Sequence, residues 1–242
     1  MAHEMSGHSK WAKIRHQKAE NDAKRGAIFT KLLREVRIAA KKGSDPEMNF
    51  SLKSAIQKAK SGGVPKEKIE SAIKSSKSDE SLLEEVFYEA YGAGGVGILI
   101  KCITDNKNRT FSEVRTVLDK NGGSIANVGS VRFLFREVGE IITEPPGDKD
   151  SIEWEEKILE LDIEDYSFDA EGNKVLINTD FQNLAKTIQE LEGLGFIIFE
   201  SYLTFYPKNP LDPPFEVREK IDSLVSKIEN LDDVQEIWTN LS

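Results

Sequence analysis

The spacing of apolar residues first changes after Ile73, and that change separates a purely helical part of the chain from a part that contains strands. From Ala27 to Ile73, apolar residues recur every three or four positions within successive segments, which is the period of an amphipathic helix. From Val86 they alternate with polar residues, as in a half-buried strand. The tract from Ser75 to Ser81 between them is polar and without periodicity, which is typical of a linker.

The leading part, residues 1–78, is predicted to be a basic domain of three short helices. The first covers residues 27–43. Asp45 is the expected N-cap of the second helix, with Pro46 in its first position, and Pro65 opens the third. Three cations of the first helix are expected on its solvent side: Lys31, Arg34 and Arg37.

The remaining sequence predicts two α/β units, one inserted into the other. Residues 139–207 carry the order βαββαβ, which is that of a ferredoxin-like fold. The last helix and strand could not fold alone, so we expect them to return to the sheet begun at Val86. The predicted fold class is therefore α+β multidomain: an N-terminal three-helix domain, a discontinuous α/β domain of residues 79–138 and 208–242, and the inserted ferredoxin-like domain.

Three local patterns give more detailed predictions. Alternation over residues 131–136 indicates a strand. Thr110 and Glu113 have the spacing of a capping box in front of a helix. The polar run Glu171 to Asn173 indicates the turn of a hairpin in the inserted unit.

The charge of the chain is distributed very unevenly. Its formal net charge is −9. Residues 1–77 hold 18 Lys and Arg against 8 Asp and Glu, a net of +10, and the remaining 15 and 34 give residues 78–242 a net of −19. Blocks of opposite sign attract each other within a Debye length of about 8 to 10 Å. The acidic part is thus a poor nucleic-acid surface, whereas the leading part is a good one.

The most basic stretch runs from Gly7 to Ala40, with nine Lys and Arg against three Asp and Glu. Such a local reversal of sign is the electrostatic footprint of a protein that binds phosphate. Trp11 lies between Lys10 and Lys13, which suits base stacking combined with phosphate neutralisation. His16, in the same stretch, is predicted to be a polar or stacking contact.

Other motifs argue against an enzyme. Gly92, Gly94 and Gly97 spell GxGxxG, but a strand pattern follows them, whereas a dinucleotide site needs a helix there. The histidines lack metal-ligand spacing, and Cys102 alternates with apolar residues as a buried core thiol does. We therefore expect no catalytic residue, no metal site and no cofactor.

The turn containing Asp105, Asn106, Asn108 and Arg109 has two interpretations. Asx side chains commonly bond the backbone of such loops, which would make the turn purely structural. Alternatively, Arg109 at the start of a helix presents a charged fork to a ligand. The four residues therefore form a candidate functional loop.

The sequence also indicates where the protein resides. A single cysteine excludes an internal disulfide framework, and no apolar run approaches the length of a membrane span. We expect a cytoplasmic protein without membrane contact, with a monomer favoured.

Several segments together resemble the YebC/PmpR family. They are GHSKWAKIRHQKAENDAKRGAIFTKLLREVRIAA at residues 7–40, VPKEKIESAIK at 64–74, YGAGG at 91–95, TDNKNRT at 104–110, and Gly129 to Phe135. Two departures are Ala93, where proline is common, and Ser71, where arginine is common. The resemblance implies the three-domain fold described above, without enzymatic activity. Carried onto matching positions, it also implies that the nucleic-acid contacts are Lys10, Trp11, Lys13, Arg15, Lys18, Lys24, Arg25, Lys31 and Arg34.

The resemblance also implies two functions. Family members are usually described as DNA-binding transcriptional regulators, and the mitochondrial relatives as translational activators. The first hypothesis is therefore a DNA-binding transcriptional regulator whose basic arm contacts phosphates. The alternative is a translation factor that uses the same arm on ribosomal RNA or the ribosome.

Overall fold

The computed structural model describes residues 22–76, 83–147, 152–168 and 174–242. Three helices come first: α1 (Asp22–Lys41), α2 (Phe50–Ser61) and α3 (Lys66–Ser75). The later elements are β1 (Glu84–Tyr91), β2 (Gly97–Thr104), α4 (Lys107–Lys120), β3 (Ser124–Ile125), β4 (Phe135–Glu144), α5 (Ile152–Leu159), β5 (Asp165–Phe168), β6 (Val175–Asp180), α6 (Leu184–Gly193), β7 (Ile197–Pro207), α7 (Phe215–Glu229) and β8 (Val234–Thr239). None of the helices in these ranges combines the length and apolar character needed to cross a bilayer.

The three leading helices enclose an apolar core of their own. Leu32 and Val36 of α1 pack with Leu52 of α2 and Ile69 of α3. The predicted N-cap of α2 is wrong, because residues 45–48 form a turn. Asn49 caps the helix instead. Its Oδ1 accepts from Leu52 N at 3.1 Å, while its Nδ2 donates to the carbonyls of Ala39 and Gly43.

The first sheet has the strand order β3-β1-β2-β8 and is antiparallel. β8 pairs with β2 (Ile100 opposite Ile237), so the last helix and strand return to this sheet, as the sequence predicts. One face packs against α4 and α7 through Val114, Leu118 and Leu224, among other residues.

The second sheet has the order β5-β6-β4-β7, also antiparallel. Numbering its strands along the chain gives 2-3-1-4, the ferredoxin-like arrangement, and α5 and α6 cover one face. Ile141, Trp154 and Ile188 lie in the core between them. The predicted α+β class with an inserted ferredoxin-like unit is confirmed.

Two local predictions are wrong. Arg132–Leu134 is a 3₁₀ turn, and the strand begins only at Phe135. The helix predicted behind a Thr110 capping box begins earlier, because the Asn106 side chain already accepts from Arg109 N at 3.1 Å. The hairpin turn predicted at Glu171 to Asn173 lies outside the described residues.

The turn at residues 129–132 is held by a buried carboxylate on β1. Glu89 Oε1 accepts from Gly129 N at 2.6 Å, and Oε2 accepts from Val131 N at 2.5 Å and Arg132 N at 2.9 Å. Burial alone would raise the pKa of Glu89, but these donors and the Arg132 charge lower it below its ordinary value. Converging N–H groups bend the backbone here, which explains why the alternating sequence does not form a strand.

Removing the charge of this carboxylate should destabilise the fold. In Glu89→Gln we expect the free energy of unfolding at neutral pH to fall by about 2 kcal/mol, because an amide NH₂ group then faces backbone donors. The lowered pKa means that this stabilisation is present above the unfolded-state pKa of about 4.3 and is lost as pH falls through the folded-state pKa. Urea unfolding across this range should show the wild type and the variant converging in acid.

Glu84→Gln is the matched control for that experiment. Glu84 lies on the same strand, but it is exposed and pairs with Lys107 at the surface, so its loss should cost less than about 1 kcal/mol. Equal losses in the two variants would contradict the proposed role of Glu89.

Candidate nucleic-acid interface

The predicted contact residues fall into three groups in the structure. Six of them lie outside the described residues: Lys10, Trp11, Lys13, Arg15, His16 and Lys18. Lys24 and Arg25 belong to the first turn of α1, and the Arg25 side chain is exposed. Lys31 and Arg34 lie further along α1, where they contact the C-terminal part of the chain.

Arg25 belongs to a cationic cluster that joins two helices. Arg25 Cζ from α1 and Lys68 Nζ from α3 each lie 5.9 Å from the centroid of the Phe29 ring. The π face of an aromatic ring attracts cations at this distance. Two positive charges are thus held at one exposed edge of the helical unit, where a phosphate backbone can reach them.

Further lysines extend this cationic surface, and the sequence prediction did not include them. They are exposed and distributed over the ends and outer faces of the three helices: Lys42, Lys60, Lys66 and Lys74. The sequence contained the signal for these lysines, because each lies off the apolar face of a predicted helix.

The prediction that Lys31 and Arg34 face solvent is wrong. Lys31 Nζ donates to the carbonyls of Glu229 at 2.8 Å and Leu231 at 3.0 Å. Arg34 NH1 donates to the carbonyl of Asp232 at 2.5 Å and to Asp233 Oδ1 at 3.0 Å. The helical period identifies the apolar face of α1 correctly, but the polar face beside it is also covered, by an acidic segment far away in the sequence.

A second set of charges joins the helical unit to the first sheet. Lys58 Nζ of α2 lies 2.9 Å from Glu35 of α1 and 2.6 Å from Glu236 of β8. Glu236 also faces Lys101 of β2, which pairs with Glu85 at 3.4 Å. Burial alone would lower the pKa of Lys58, but Glu236 and Glu35 raise it above its ordinary value. The lysine therefore stays charged although it is mostly buried.

The candidate functional loop contacts the same C-terminal segment, through Asp233. Arg109 NH2 lies 2.8 Å from both Asp105 and Asp233, and Asn106 caps α4. Asp233 Oδ2 also accepts from Thr104 at 3.0 Å and Thr110 at 2.7 Å. Asn108 contributes its carbonyl, which accepts from the Ser112 hydroxyl. These contacts pack the loop against the C-terminal segment, and its functional role stays a prediction.

Asp233 is the most heavily bonded carboxylate of this region. Burial would raise its pKa, but the hydrogen bonds from Arg109, Thr110 and Thr104 and the charge of Arg34 lower it. It is 2% exposed. Its charge is thus compensated entirely by protein groups from α1, α4 and β2.

The glycine motif and the cysteine have packing roles. Gly92 and Gly97 flank a short 3₁₀ turn, and β2 follows directly, with no helix. A Cβ at Gly92 would overlap Ile221 of α7. Cys102 is buried, and burial together with Asp233 raises its pKa to about 12. The described part of the chain contains no cluster of three metal-ligating side chains.

Truncation of Asp233 tests how much the bonds to its carboxylate contribute to stability. We expect Asp233→Ala to lower the free energy of unfolding by about 3–5 kcal/mol, because Arg34 and Arg109 lose a buried partner. The neighbouring Asp232→Ala is the control, since only the backbone carbonyl of this exposed residue is used; its effect should stay within about 0.5 kcal/mol. Similar losses of unfolding free energy in the two variants, measured by urea unfolding, would contradict the stabilising role of the Asp233 carboxylate.

Comparison with known proteins covers almost the whole chain. Residues 9–79 match the TACO1/YebC protein N-terminal domain, and residues 83–241 match the TACO1/YebC second and third domain. Proteins named "probable transcriptional regulatory protein" are 43% identical in Caldanaerobacter subterraneus subsp. tengcongensis, with 98% of each chain covered, and 42% identical in Thermoanaerobacter pseudethanolicus, with 98% and 97% covered. The crystal structure of a conserved hypothetical protein from Aquifex aeolicus superposes with a TM-score of 0.80 at 37% identity, over 96% of each chain. The chain therefore belongs to the TACO1/YebC family.

Proposed function

We propose that this protein is a non-enzymatic, cytoplasmic regulator of transcription that binds DNA through its basic helical unit, as a monomer. The names of its relatives support a role in transcription regulation. The observation that carries the DNA-binding proposal is the exposed cationic surface centred on Arg25, Phe29 and Lys68. It continues into the basic segment that precedes α1 in the sequence.

This surface suits phosphate more than bases. Lysine and arginine neutralise the DNA backbone and release counterions, which supplies affinity without reading sequence. The exposed described positions of α1 and α3 hold lysine, arginine, glutamate and small residues, and none of them is an amide side chain of the kind that reads base edges. We therefore propose that the specificity comes mainly from DNA shape.

The acidic sheets have a different task in this proposal. They repel phosphate, so DNA is confined to the helical side of the molecule. The net of −19 in residues 78–242 also limits non-specific adhesion along the polyanion. The two α/β units thus orient the complex and offer surfaces to protein partners.

The alternative is a translation factor that binds ribosomal RNA or the ribosome. It is favoured by Trp11, which lies between Lys10 and Lys13. An indole ring stacks readily on unpaired bases, and such bases are the usual target of sequence-specific RNA recognition. The same cationic surface suits either ligand. The two functions differ in whether the Trp11 ring stacks on unpaired bases.

The phosphate contacts predict a strong dependence of binding on salt. If about six phosphates are neutralised, the log–log slope of the affinity against salt should be near −5. Changing Lys10, Lys13 and Arg15 to Glu should reduce the slope to about −2, because each lost phosphate contact removes about one unit. Fluorescence anisotropy with a short duplex DNA measures both slopes.

The control changes Lys120, Lys208 and Lys220 to Glu. These exposed lysines belong to the acidic part of the chain, and the triple variant has the same net charge as the first. It should keep the wild-type slope. A wild-type slope near zero, or equal slopes in the two variants, would contradict the proposal.

Sedimentation of a cell lysate separates the two functions. A DNA-binding regulator should be absent from the ribosomal fractions at low salt. Co-migration with ribosomal subunits that resists DNase and disappears in the Lys10, Lys13 and Arg15 variant would instead establish the ribosomal alternative.

A further inference from the structure

The segment that covers the cations of α1 is acidic and contiguous. It runs over residues 229–236, and four of its eight residues are Asp or Glu; we name it the acidic clamp. Its carbonyl and carboxylate oxygens accept hydrogen bonds from Lys31 and Arg34, and Glu236 forms an ion pair with Lys58. To these cations the clamp presents what a phosphate backbone would present, a row of anionic and polar oxygens.

The charges at this interface are divided so that the two sides can separate. Asp233 keeps Arg109, Thr104 and Thr110, all on its own side. Glu236 keeps Lys101, and Lys58 keeps Glu35. Separation therefore leaves each buried carboxylate with a cation. Lys31 and Arg34 are the groups that give up these acceptors and gain the capacity to bind others.

No shared apolar core joins α1 to the clamp among the described residues. The core of the helical unit consists of residues from α1 to α3 and the turns between them. The core below the clamp consists of residues from the first sheet, α4 and α7. Opening this interface thus exchanges polar contacts for water or another polar ligand, without exposing either core.

Two polar groups on the facing segments have unmet hydrogen-bonding capacity. Within the described residues, the side-chain nitrogen and oxygen of Gln235, the last but one residue of the clamp, are buried without a partner. So is Nε of Arg37, one helical turn beyond Arg34. Buried polar groups without partners favour states in which they are hydrated. The closed arrangement therefore contains its own bias towards opening.

The other contact of the helical unit supplies a pivot. Phe50, at the start of α2, packs against the core of the ferredoxin-like unit, and the Ser54 hydroxyl donates to the carbonyl of Ser201 on β7. This contact has an apolar component, which the α1 contact lacks. Rotation about it moves α1 away from the clamp while the unit stays attached.

We propose that the acidic clamp is an internal competitor of nucleic acid, and that a bound polynucleotide opens this interface by exchanging its phosphates for the clamp oxygens at Lys31 and Arg34. This inference rests on the proposed function and adds its regulation: the closed molecule binds weakly, and any ligand or variant that opens the clamp strengthens binding. The two cations predicted from the sequence as phosphate contacts then act in the open state.

Weakening the clamp should increase affinity. In Glu236→Gln, Lys58 retains Glu35 and Lys101 retains Glu85, so no buried lysine loses its last carboxylate. We expect this variant to bind duplex DNA about fivefold tighter or more, as in typical coupling between linked sites. Asp222→Asn is the control, because it removes one exposed negative charge of α7 away from the clamp; its affinity should change less than twofold, roughly the effect of one screened charge. Equal gains in the two variants would overturn the proposal.

The opening itself can be measured in the otherwise wild-type chain. Spin labels at Ser61→Cys and Ser226→Cys report the distance between the helical unit and α7, and the buried Cys102 thiol, with its raised pKa, stays unlabelled. Pulsed electron paramagnetic resonance should show a longer distance between the two labels at saturating nucleic acid than in its absence. The nucleic acid is a short duplex DNA or an RNA hairpin of similar length. An unchanged distance at saturation overturns the clamp and leaves the proposed function intact. Absence of binding to either nucleic acid overturns both.

Discussion

The attraction between a cationic helical unit and an acidic C-terminal segment determines how this molecule is assembled. Asp233 is its centre, because one carboxylate receives Arg34 from α1 together with Arg109 and two threonines from the first sheet and α4. Lys58 and Glu236 form a second link between the same two units. Both links are ionic. The carboxylates that hold the two units together are therefore the groups that would compete with a polyanion for the same cations.

This dependence connects stability to function. Two pairs of cations in the helical unit have opposite environments. Arg25 and Lys68 remain exposed around Phe29 and are available for phosphate. Lys31 and Arg34 are held by backbone and carboxylate oxygens. In the proposed mechanism, the first pair supports encounter with a nucleic acid, and the second changes partners only if the units separate. We propose that the −19 on the later part of the chain limits how tightly the leading part binds a polyanion.

Much of the fold could be predicted from the sequence, because local periodicity and topological rules determine it. The change of period after Ile73, the βαββαβ order and the return of β8 to the first sheet follow from patterning alone. The errors have long-range causes. The alternating residues near Arg132 form a turn because Glu89, about forty positions away, binds their N–H groups. Asn49 rather than Asp45 caps α2 because it also bonds the end of α1.

The candidate site was harder to predict for a similar reason. Periodicity distinguishes the apolar face of α1 from its polar face, but it cannot indicate that a polar face is covered by residues 229–233. The opposite charges of the two parts predicted attraction between them, yet not which cations it would use. Arg25 could be placed at the surface because no such partner exists for it among the described residues near α1, apart from the Phe29 ring.

If charge holds the helical unit against the acidic part, the ion pair between Lys58 and Glu236 is an energetic link and not only a close approach. A double-mutant cycle with Lys58→Met and Glu236→Gln, followed by urea unfolding, isolates that pairwise term. A coupling free energy of about 1–3 kcal/mol is the predicted result, since both side chains are mostly buried and lie 2.6 Å apart. Strictly additive effects, within about 0.3 kcal/mol, would contradict the idea that charge holds the helical unit against the acidic part.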